Sequence, residues 1–291
     1  MSKIKPKEFR VRTGQKVSLK DWPTDGEPFY ASKSDYRKIL SNQTEALSEL
    51  QSRLYADNRY SLLLIFQGMD ASGKDGSIKA VMSGVNPQGC EVFSFKTPSS
   101  EELAHDFLWR ETVRLPRSGR IGIHNRSYYE EVLVARVHPK ILHGEGLPDE
   151  TLSGATLWAD RYRSIRELEA HLSRNGTRII KFFLHMSHDE QRKRFLERID
   201  DPRKQWKFVA SDLEERKYWK QYMSAYEACI HATSTDKAPW YIVPADDKKS
   251  SRLIISEIIV ETMKSLKLSY PETTDAHRTE LLAMRKQLIK K

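Results

Sequence analysis

Two cysteines, Cys90 and Cys229, are all that the 291-residue chain contains. That is too few for a disulfide scaffold or a four-thiolate zinc site. No apolar run approaches the ~20 residues that a helix needs to cross a bilayer. The opening residues, Met-Ser-Lys-Ile-Lys-Pro-Lys, carry no apolar stretch of the kind a secretory signal requires. The nine histidines include no H-x-x-x-H pair on a credible metal face, so a transition-metal centre is not expected. Helix-turn-helix, zinc and aromatic RNA-stacking patterns are missing, as are internal repeats and low-complexity tracts. What is present is 38% hydrophobic and 10% aromatic residues, a load that a disordered chain could not carry. The length allows one large domain or two small ones. A soluble cytoplasmic globular protein is expected. Its net charge of +9 points to a polyanionic partner without choosing among nucleic acid, an anionic membrane and a phosphate-rich small substrate.

Residues 1–34 are polar and punctuated by Gly14, Pro23, Gly26 and Pro28, and read as an arm. Apolar residues at Ile39, Leu47, Leu50 and Leu54 then predict a helix over 35–57. Ser61–Gln67 is a short apolar run before a glycine-rich loop, as expected of a parallel strand buried on both faces. Similar runs at Glu91–Phe95, Gly119–His124, Arg178–His185 and Trp240–Val243 give five strands. Helical stretches are predicted over Gly76–Ser83, Ser99–Thr112, Ser127–Val137, Ser153–Arg174, Ser187–Ile199, Ser211–Ala232 and Lys248–Leu266. Strands alternate with helices, so the class is α/β with a five-stranded parallel sheet flanked by helices. The organisation is an arm over 1–34, a P-loop domain over 35–270 with a lid at about 192–215, and a tail over 271–291 that forms a loosely docked helix.

Gly68-Met-Asp-Ala-Ser-Gly-Lys-Asp75 follows the first strand and opens a helix. It matches the Walker A pattern G-x-x-x-x-G-K in the strand–loop–helix context that the pattern needs. Gly68, Ser72 and Gly73 let backbone N–H groups wrap a phosphate, the helix start adds positive potential, and Lys74 reaches a phosphate oxygen. Two departures stand out. Asp75 occupies the place where Ser or Thr usually ligates Mg²⁺. Asp70 puts a carboxylate inside an anion nest, which is costly unless it meets a metal or a proton. Asp70 is therefore expected to serve Mg²⁺ or the acceptor phosphate, against the plainer reading of a turn-stabilising aspartate.

The third strand exits through His124-Asn-Arg-Ser127. Where a Walker B aspartate would stand there is Asn125, a neutral and weaker metal ligand, followed by Arg126, a phosphate clamp. Glu130 and Glu131 on the next helix either supply the missing negative charge or are an ordinary acidic first turn. Further on, residues 192–207 carry seven basic and three acidic side chains. Arg194 and Arg198 share a helix face, Asp201-Pro202 breaks the helix, and Lys204 and Lys207 bracket Trp206. Such a run is usually a solvated face, but a helix–break–helix with spaced cations also suits a lid closing over phosphates.

Four stretches in order resemble the family-2 polyphosphate kinases: Gly68-Met-Asp-Ala-Ser-Gly-Lys-Asp-Gly76, Ser83-Gly-Val-Asn-Pro-Gln-Gly89, His124-Asn-Arg-Ser-Tyr-Tyr-Glu-Glu-Val132 and Arg198-Ile-Asp-Asp-Pro-Arg-Lys-Gln-Trp-Lys-Phe208. The resemblance spans most of 35–267. It implies a thymidylate-kinase-like P-loop fold with a helical lid, and phosphoryl transfer between inorganic polyphosphate and a nucleotide with Mg²⁺, for which Mn²⁺ can substitute. Carried over by position, Asp70, Lys74 and Arg126 are the catalytic set, and Asp70, Asp75 and Glu130 the metal-binding one. Arg194, Arg198, Lys204 and Lys207 bind phosphates, and Lys79 either lines the polyphosphate channel or is a surface lysine. The acceptor site draws on Phe95, Arg110, Asn125, Glu130 and Glu131, although Phe95 equally suits the core. Asn125-Arg-Ser, followed by Tyr129-Glu-Glu131, is similar to members that accept monophosphates, and the single module to the class III group, which makes ADP from AMP and ATP from ADP. The expected partners are polyphosphate and nucleoside mono- and diphosphates, with no nucleic acid and no membrane, in a homo-oligomer, dimer or tetramer. An ATP-dependent nucleotide kinase and a P-loop nucleic-acid-binding protein are the alternatives. Within the +9, the lid run contributes +4, as do residues 278–291 and residues 1–60, so only the lid share lies where phosphate chemistry can use it.

Overall fold

Ser61–Gln67 (β1) is buried at every position, and a strand with no polar face must be covered on both sides. The computed structural model, which describes residues 4–289, places β1 in the middle of a five-stranded sheet. Its neighbours are Cys90–Ser94 (β2), Ile121–Asn125 (β3), Thr177–His185 (β4) and Trp240–Pro244 (β5), in the order β2-β3-β1-β4-β5. All four pairings are parallel.

Helices cover both faces. Lys33–Asp57 (α1) starts at Ser32, whose hydroxyl accepts from the Asp35 N–H, and ends at Asn58 in a left-handed conformation. Lys74–Val81 (α2) follows the glycine-rich loop. Glu130–Val137 (α3), Leu157–Arg174 (α4), His188–Asp200 (α5), Ala210–Lys217 (α6) and Trp219–Thr233 (α7) come next. Lys248–Ser265 (α8) is the most buried helix and packs against α1 and α2, while Asp275–Ile289 (α9) has no buried residue. No helix among the described residues is long and apolar enough to cross a membrane.

Three stretches differ from the sequence expectation. Residues 99–112 form two short helices, Ser100–Leu103 and Trp109–Thr112, instead of one. Asp106 breaks the run by accepting the Leu108 N–H on its side chain at 2.9 Å. The helix expected over 211–232 is interrupted at Tyr218, whose ring packs edge-on against His138. Residues 4–34 are fastened down: the Val11 N–H donates to Trp240 O and the Ile242 N–H to Phe9 O, so the segment covers the free edge of β5. Ile4, Phe9, Val11 and Leu19 are core residues, a role that an arm so rich in polar residues does not announce.

The fold positions the site through its switch point. β1 and β3 are neighbours whose following connections leave toward different parts of the molecule, and the crevice opens at their carboxyl ends. The register sets Phe66 beside Asn125, so the loop after β1 and the exit of β3 meet there. Beneath this point is a charged core. Lys181, in the middle of β4, donates from Nζ to Glu169 at 2.6 Å, to Tyr129 Oη at 2.9 Å and to Thr233 O at 2.8 Å. Glu169 also accepts from the hydroxyls of Tyr128 and Tyr129. All four side chains are buried. Removing one partner strands the other in a dry interior, so Lys181→Met should lower unfolding free energy by about 3–5 kcal/mol. Urea denaturation measures this, and a loss under 1 kcal/mol would mean that the pair behaves like a surface ion pair.

Candidate phosphate-transfer site

The loop after β1 needs glycine for space. A Cβ on Gly68 would stand 2.8 Å from Ser72 Oγ and 3.0 Å from Leu184 O, and Gly73 caps α2 at φ +103°. Lys74 begins α2 and is 8% exposed. Its ammonium donates to Gly68 O at 2.5 Å and to Met69 O at 3.3 Å. Burial and the neighbouring Arg126 pull Lys74 down to about 8, against Asp70, Glu130 and Asp75, which favour the charge.

At the exit of β3 the backbone bends into a left-handed conformation at Arg126, φ +66°. Holding a non-glycine residue there costs on the order of 1 kcal/mol. The bend is fixed on both sides: the Arg126 N–H donates to Phe66 O, and the following Tyr128 and Tyr129 are anchored on Glu169. The guanidinium lies between two carboxylates, 2.8 Å from Asp70 and 3.1 Å from Glu130. Those acids hold the half-buried Arg126 firmly charged. Tyr222 and Tyr226 border the same charges, and Tyr226 is raised well above its ordinary value by burial and by Glu130.

Asp75 and Asn125, the two departures from the Walker patterns, are partners. Asn125 Nδ2 donates to Asp75 Oδ1 at 2.7 Å. Asn125 Oδ1 is buried with no donor. Among the described residues no three His, Cys, Asp or Glu side chains gather into a metal cluster. A phosphate-borne Mg²⁺ asks for less, one or two carboxylates besides the phosphates. Asp70 and Asp75 each keep one carboxylate oxygen outside these bonds, and these, like Asn125 Oδ1, are oxygens, the donor type that a hard cation takes. Glu130 is on the far arm of Arg126.

Glu131, next in sequence to Glu130, lines a pocket of about 250 Å³ together with Glu102, His105, Phe107, Arg110 and Glu145. Arg110 is buried and donates to Glu111, Glu131 and Lys96 O. Burial lifts Glu111 to about 8 and Glu131 to about 7, in each case against the pull of Arg110. Phe95 does not line the pocket. Its ring packs edge-on against His124 and under the Arg110 guanidinium, so it is a wall of the core that supports the arginine.

The lid cations divide. Arg198 approaches Asp212 at 3.9 Å, Lys204 pairs with Asp201 at 3.0 Å, and Lys207 lies over the exposed Trp206 ring. Lys204, Lys207 and Lys79 are exposed and Arg198 is half-buried. Arg194 is different. It is 3% exposed and faces the back of the loop after β1, where its five N–H donors all go to protein oxygens. Sequence reasoning missed Gln191, which donates to Asp70 O, and Arg216, which donates to Gln191. Their signal was weak: Gln191 is one turn before Arg194. It also missed Asp212, a half-buried acid raised by burial and by Asp70.

Comparisons with known proteins identify the family. The family model for polyphosphate kinase 2 (PPK2) matches residues 30–271. An ADP-polyphosphate phosphotransferase of Rhodopseudomonas palustris is 64% identical over 99% of this chain and 100% of its own. An AMP/ADP-polyphosphate phosphotransferase of Meiothermus ruber is 44% identical over 93% and 97%. The crystal structure of polyphosphate kinase 2 from Arthrobacter aurescens superposes with a TM-score of 0.86 at 36% identity, covering 97% of this chain and 99% of that one. The chain belongs to the polyphosphate kinase 2 family.

Proposed function

We propose that this protein transfers the terminal phosphoryl group of inorganic polyphosphate to nucleoside mono- and diphosphates, making ADP from AMP and ATP from ADP. The observation that carries the reading is the Arg126 guanidinium held between Asp70 and Glu130, beside Lys74, at the carboxyl ends of β1 and β3. The names of the two relatives support both substrates, and they differ on whether AMP is included. An ionised acceptor phosphate needs no strong base, so positioning and charge neutralisation carry the reaction. An acceptor phosphate oxygen attacks the terminal phosphorus in line, and the bond to the penultimate phosphate breaks with its electrons leaving on the shortened chain. Lys74 and Arg126 neutralise the transferred group, and Asp70 orients the acceptor. Arg198, Lys204 and Lys207 hold the polymer at the rim, with Lys79 along its path. Arg110 and Glu131 border the acceptor pocket. Mg²⁺ or Mn²⁺, held by Asp70 and Asp75 with Asn125 and Glu130 close by, supplies further neutralisation when bound. The terminal helix α9, with Leu281, Leu282, Met284 and Leu288 exposed, supports a homo-oligomer.

Product analysis with polyphosphate as sole donor and AMP, ADP, GMP and GDP as acceptors tests the reading. Phosphorylation of AMP and ADP without ATP is expected. Phosphorylation only when ATP is present would favour an ordinary nucleotide kinase. Asp70→Asn and Lys74→Ala should each cost on the order of a thousandfold in kcat with folding retained. Wild-type turnover in Asp70→Asn would remove that residue from the chemistry.

The depressed Lys74 has a consequence for pH. Below about 8 the free enzyme holds it charged, and above that value the charge is lost. The kcat/KM for polyphosphate should therefore fall on the alkaline side with an apparent pKa near 8, because kcat/KM reports the free enzyme. Bound phosphate restores the proton, so the limb in kcat is displaced upward. A flat kcat/KM profile to pH 10, near the ordinary lysine value, contradicts this.

Asn125→Asp would set two carboxylates at hydrogen-bond distance, where a cation relieves the repulsion. Magnesium titration of the activity should then show a lower half-saturating concentration than in the wild type. An unchanged value would detach Asp75 from the metal.

A further inference from the structure

A loop that binds phosphate through N–H groups has to turn its carbonyls the other way, and carbonyls turned inward to the protein need donors. Six consecutive carbonyls, Gly68 to Gly73, have them. Gly68 O and Met69 O accept from Lys74 Nζ, Met69 O also from the Ser72 N–H, and Gly73 O from the Ser77 N–H within α2. The middle three are served from α5, the helix that leads into the lid. Gln191 Nε2 donates to Asp70 O at 3.0 Å, and Arg194 Nη1 donates to Ala71 O at 2.9 Å and to Ser72 O at 3.0 Å. Ala71 in this stretch is left-handed at φ +63°, a conformation that alanine does not choose unaided.

Arg194 has nothing left for a substrate. A guanidinium has five N–H donors. Nε goes to Glu190 at 2.8 Å, Nη1 to the two loop carbonyls, and Nη2 to Ala245 O at 2.5 Å and Asp246 O at 3.0 Å beyond β5. Gln191 is 1% exposed, and its amide is oriented from the far side: Arg216 on α6 donates to Gln191 Oε1 at 2.9 Å and to His188 O at 2.7 Å. The lid therefore reaches the phosphate loop through Arg216, Gln191 and Asp70 O, and through Arg194.

We propose that Gln191 and Arg194 are positioning residues that hold the phosphate loop in its N–H-presenting shape from the lid-bearing helix, with Arg216 fixing Gln191, and that Arg194 does not contact polyphosphate. The proposal deepens the phosphotransferase reading and rests on it for its kinetic arm alone. Gln191→Leu keeps the volume and removes one donor. Arg194→Lys keeps the charge but cannot bridge four carbonyls, and Arg194→Ala removes everything.

The test compares these variants with Lys204→Ala, which removes a rim cation. Loop misplacement should lower kcat on the order of tenfold to a hundredfold in Gln191→Leu, Arg194→Lys and Arg194→Ala. The slope of log KM for polyphosphate against log salt should stay at the wild-type value in those three and fall by about one contact in Lys204→Ala, since only a direct phosphate contact releases counterions. Added guanidinium should restore part of the activity of Arg194→Ala and none of that of Gln191→Leu. In the absence of any substrate, hydrogen exchange of the 69–74 amides should accelerate in the Gln191 and Arg194 variants. This last readout tests the loop even if the wild type proves to use another donor, so the two readings fail separately. A reduced salt slope with wild-type kcat in Arg194→Ala, or unchanged loop exchange in both Gln191→Leu and Arg194→Lys, would overturn the proposal.

Discussion

The site is organised around the Arg126 guanidinium held between Asp70 and Glu130. It joins the three pieces of chain that meet at the switch point: the loop after β1, the exit of β3 and the start of α3. A cation between two acids is content without substrate, and the acids are themselves restrained from repelling an incoming phosphate. This requires Arg126 to leave the strand with a left-handed backbone, and a single strained residue persists only where its surroundings fix it. Those surroundings are the two tyrosines that follow, anchored through Glu169 on Lys181 in β4. A buried ion pair in the sheet thus acts on the site by holding the turn that aims the arginine.

Asp75 and Asn125 become intelligible as a pair. In the usual P-loop arrangement the loop ends in a hydroxyl and the neighbouring strand ends in a carboxylate. Here the carboxylate is on the loop and the neutral group on the strand, and the two are bonded at 2.7 Å. The site keeps one negative charge at this place, moved across the crevice. The move frees the end of β3 for the arginine that follows. It also leaves the amide oxygen of Asn125 as a buried acceptor without a donor, which an oxygen-seeking cation or a water can satisfy.

The parallel sheet was legible because β1 and most of β4 read as apolar runs without alternation, a pattern typical of strands in a parallel sheet covered by helices on each side. The placement of Asp70 and Lys74 was legible because a phosphate loop sets its residues at fixed offsets from the end of a strand, and that of Arg126 because it follows the end of β3. What escaped was whatever depended on side-chain donors being satisfied elsewhere. Arg194 and Arg198 are one helical turn apart and look alike in sequence, yet one is buried on backbone carbonyls and the other stays near the surface. Nothing in a charge run says which cation will be buried, because that is decided by residues 71–72 and 245–246 arriving from other parts of the chain. Gln191 and Arg216 were invisible for the same reason. The docked N-terminal segment escaped because four apolar residues scattered through a polar stretch show no period.

That division gives the excess positive charge two physical roles. Interior cations such as Lys181 and Arg194 are fully engaged by protein oxygens, and a phosphate would have to break those bonds to reach them. They shape the site and contribute little field outside it. The cations proposed to form the rim, Lys79, Lys204 and Lys207, are exposed, and among the described residues Lys204 pairs with one acid, Asp201. A polyanion can displace that weak pairing at small cost, and each displacement releases counterions, so the rim favours a long chain of phosphates over a single one. In the proposed reaction a polymer substrate is thus drawn by charges that play no part in the transfer itself. In the same proposal the transferring group is met by a much smaller set: Lys74 and Arg126 beside Asp70, on a loop whose carbonyls have all been turned away.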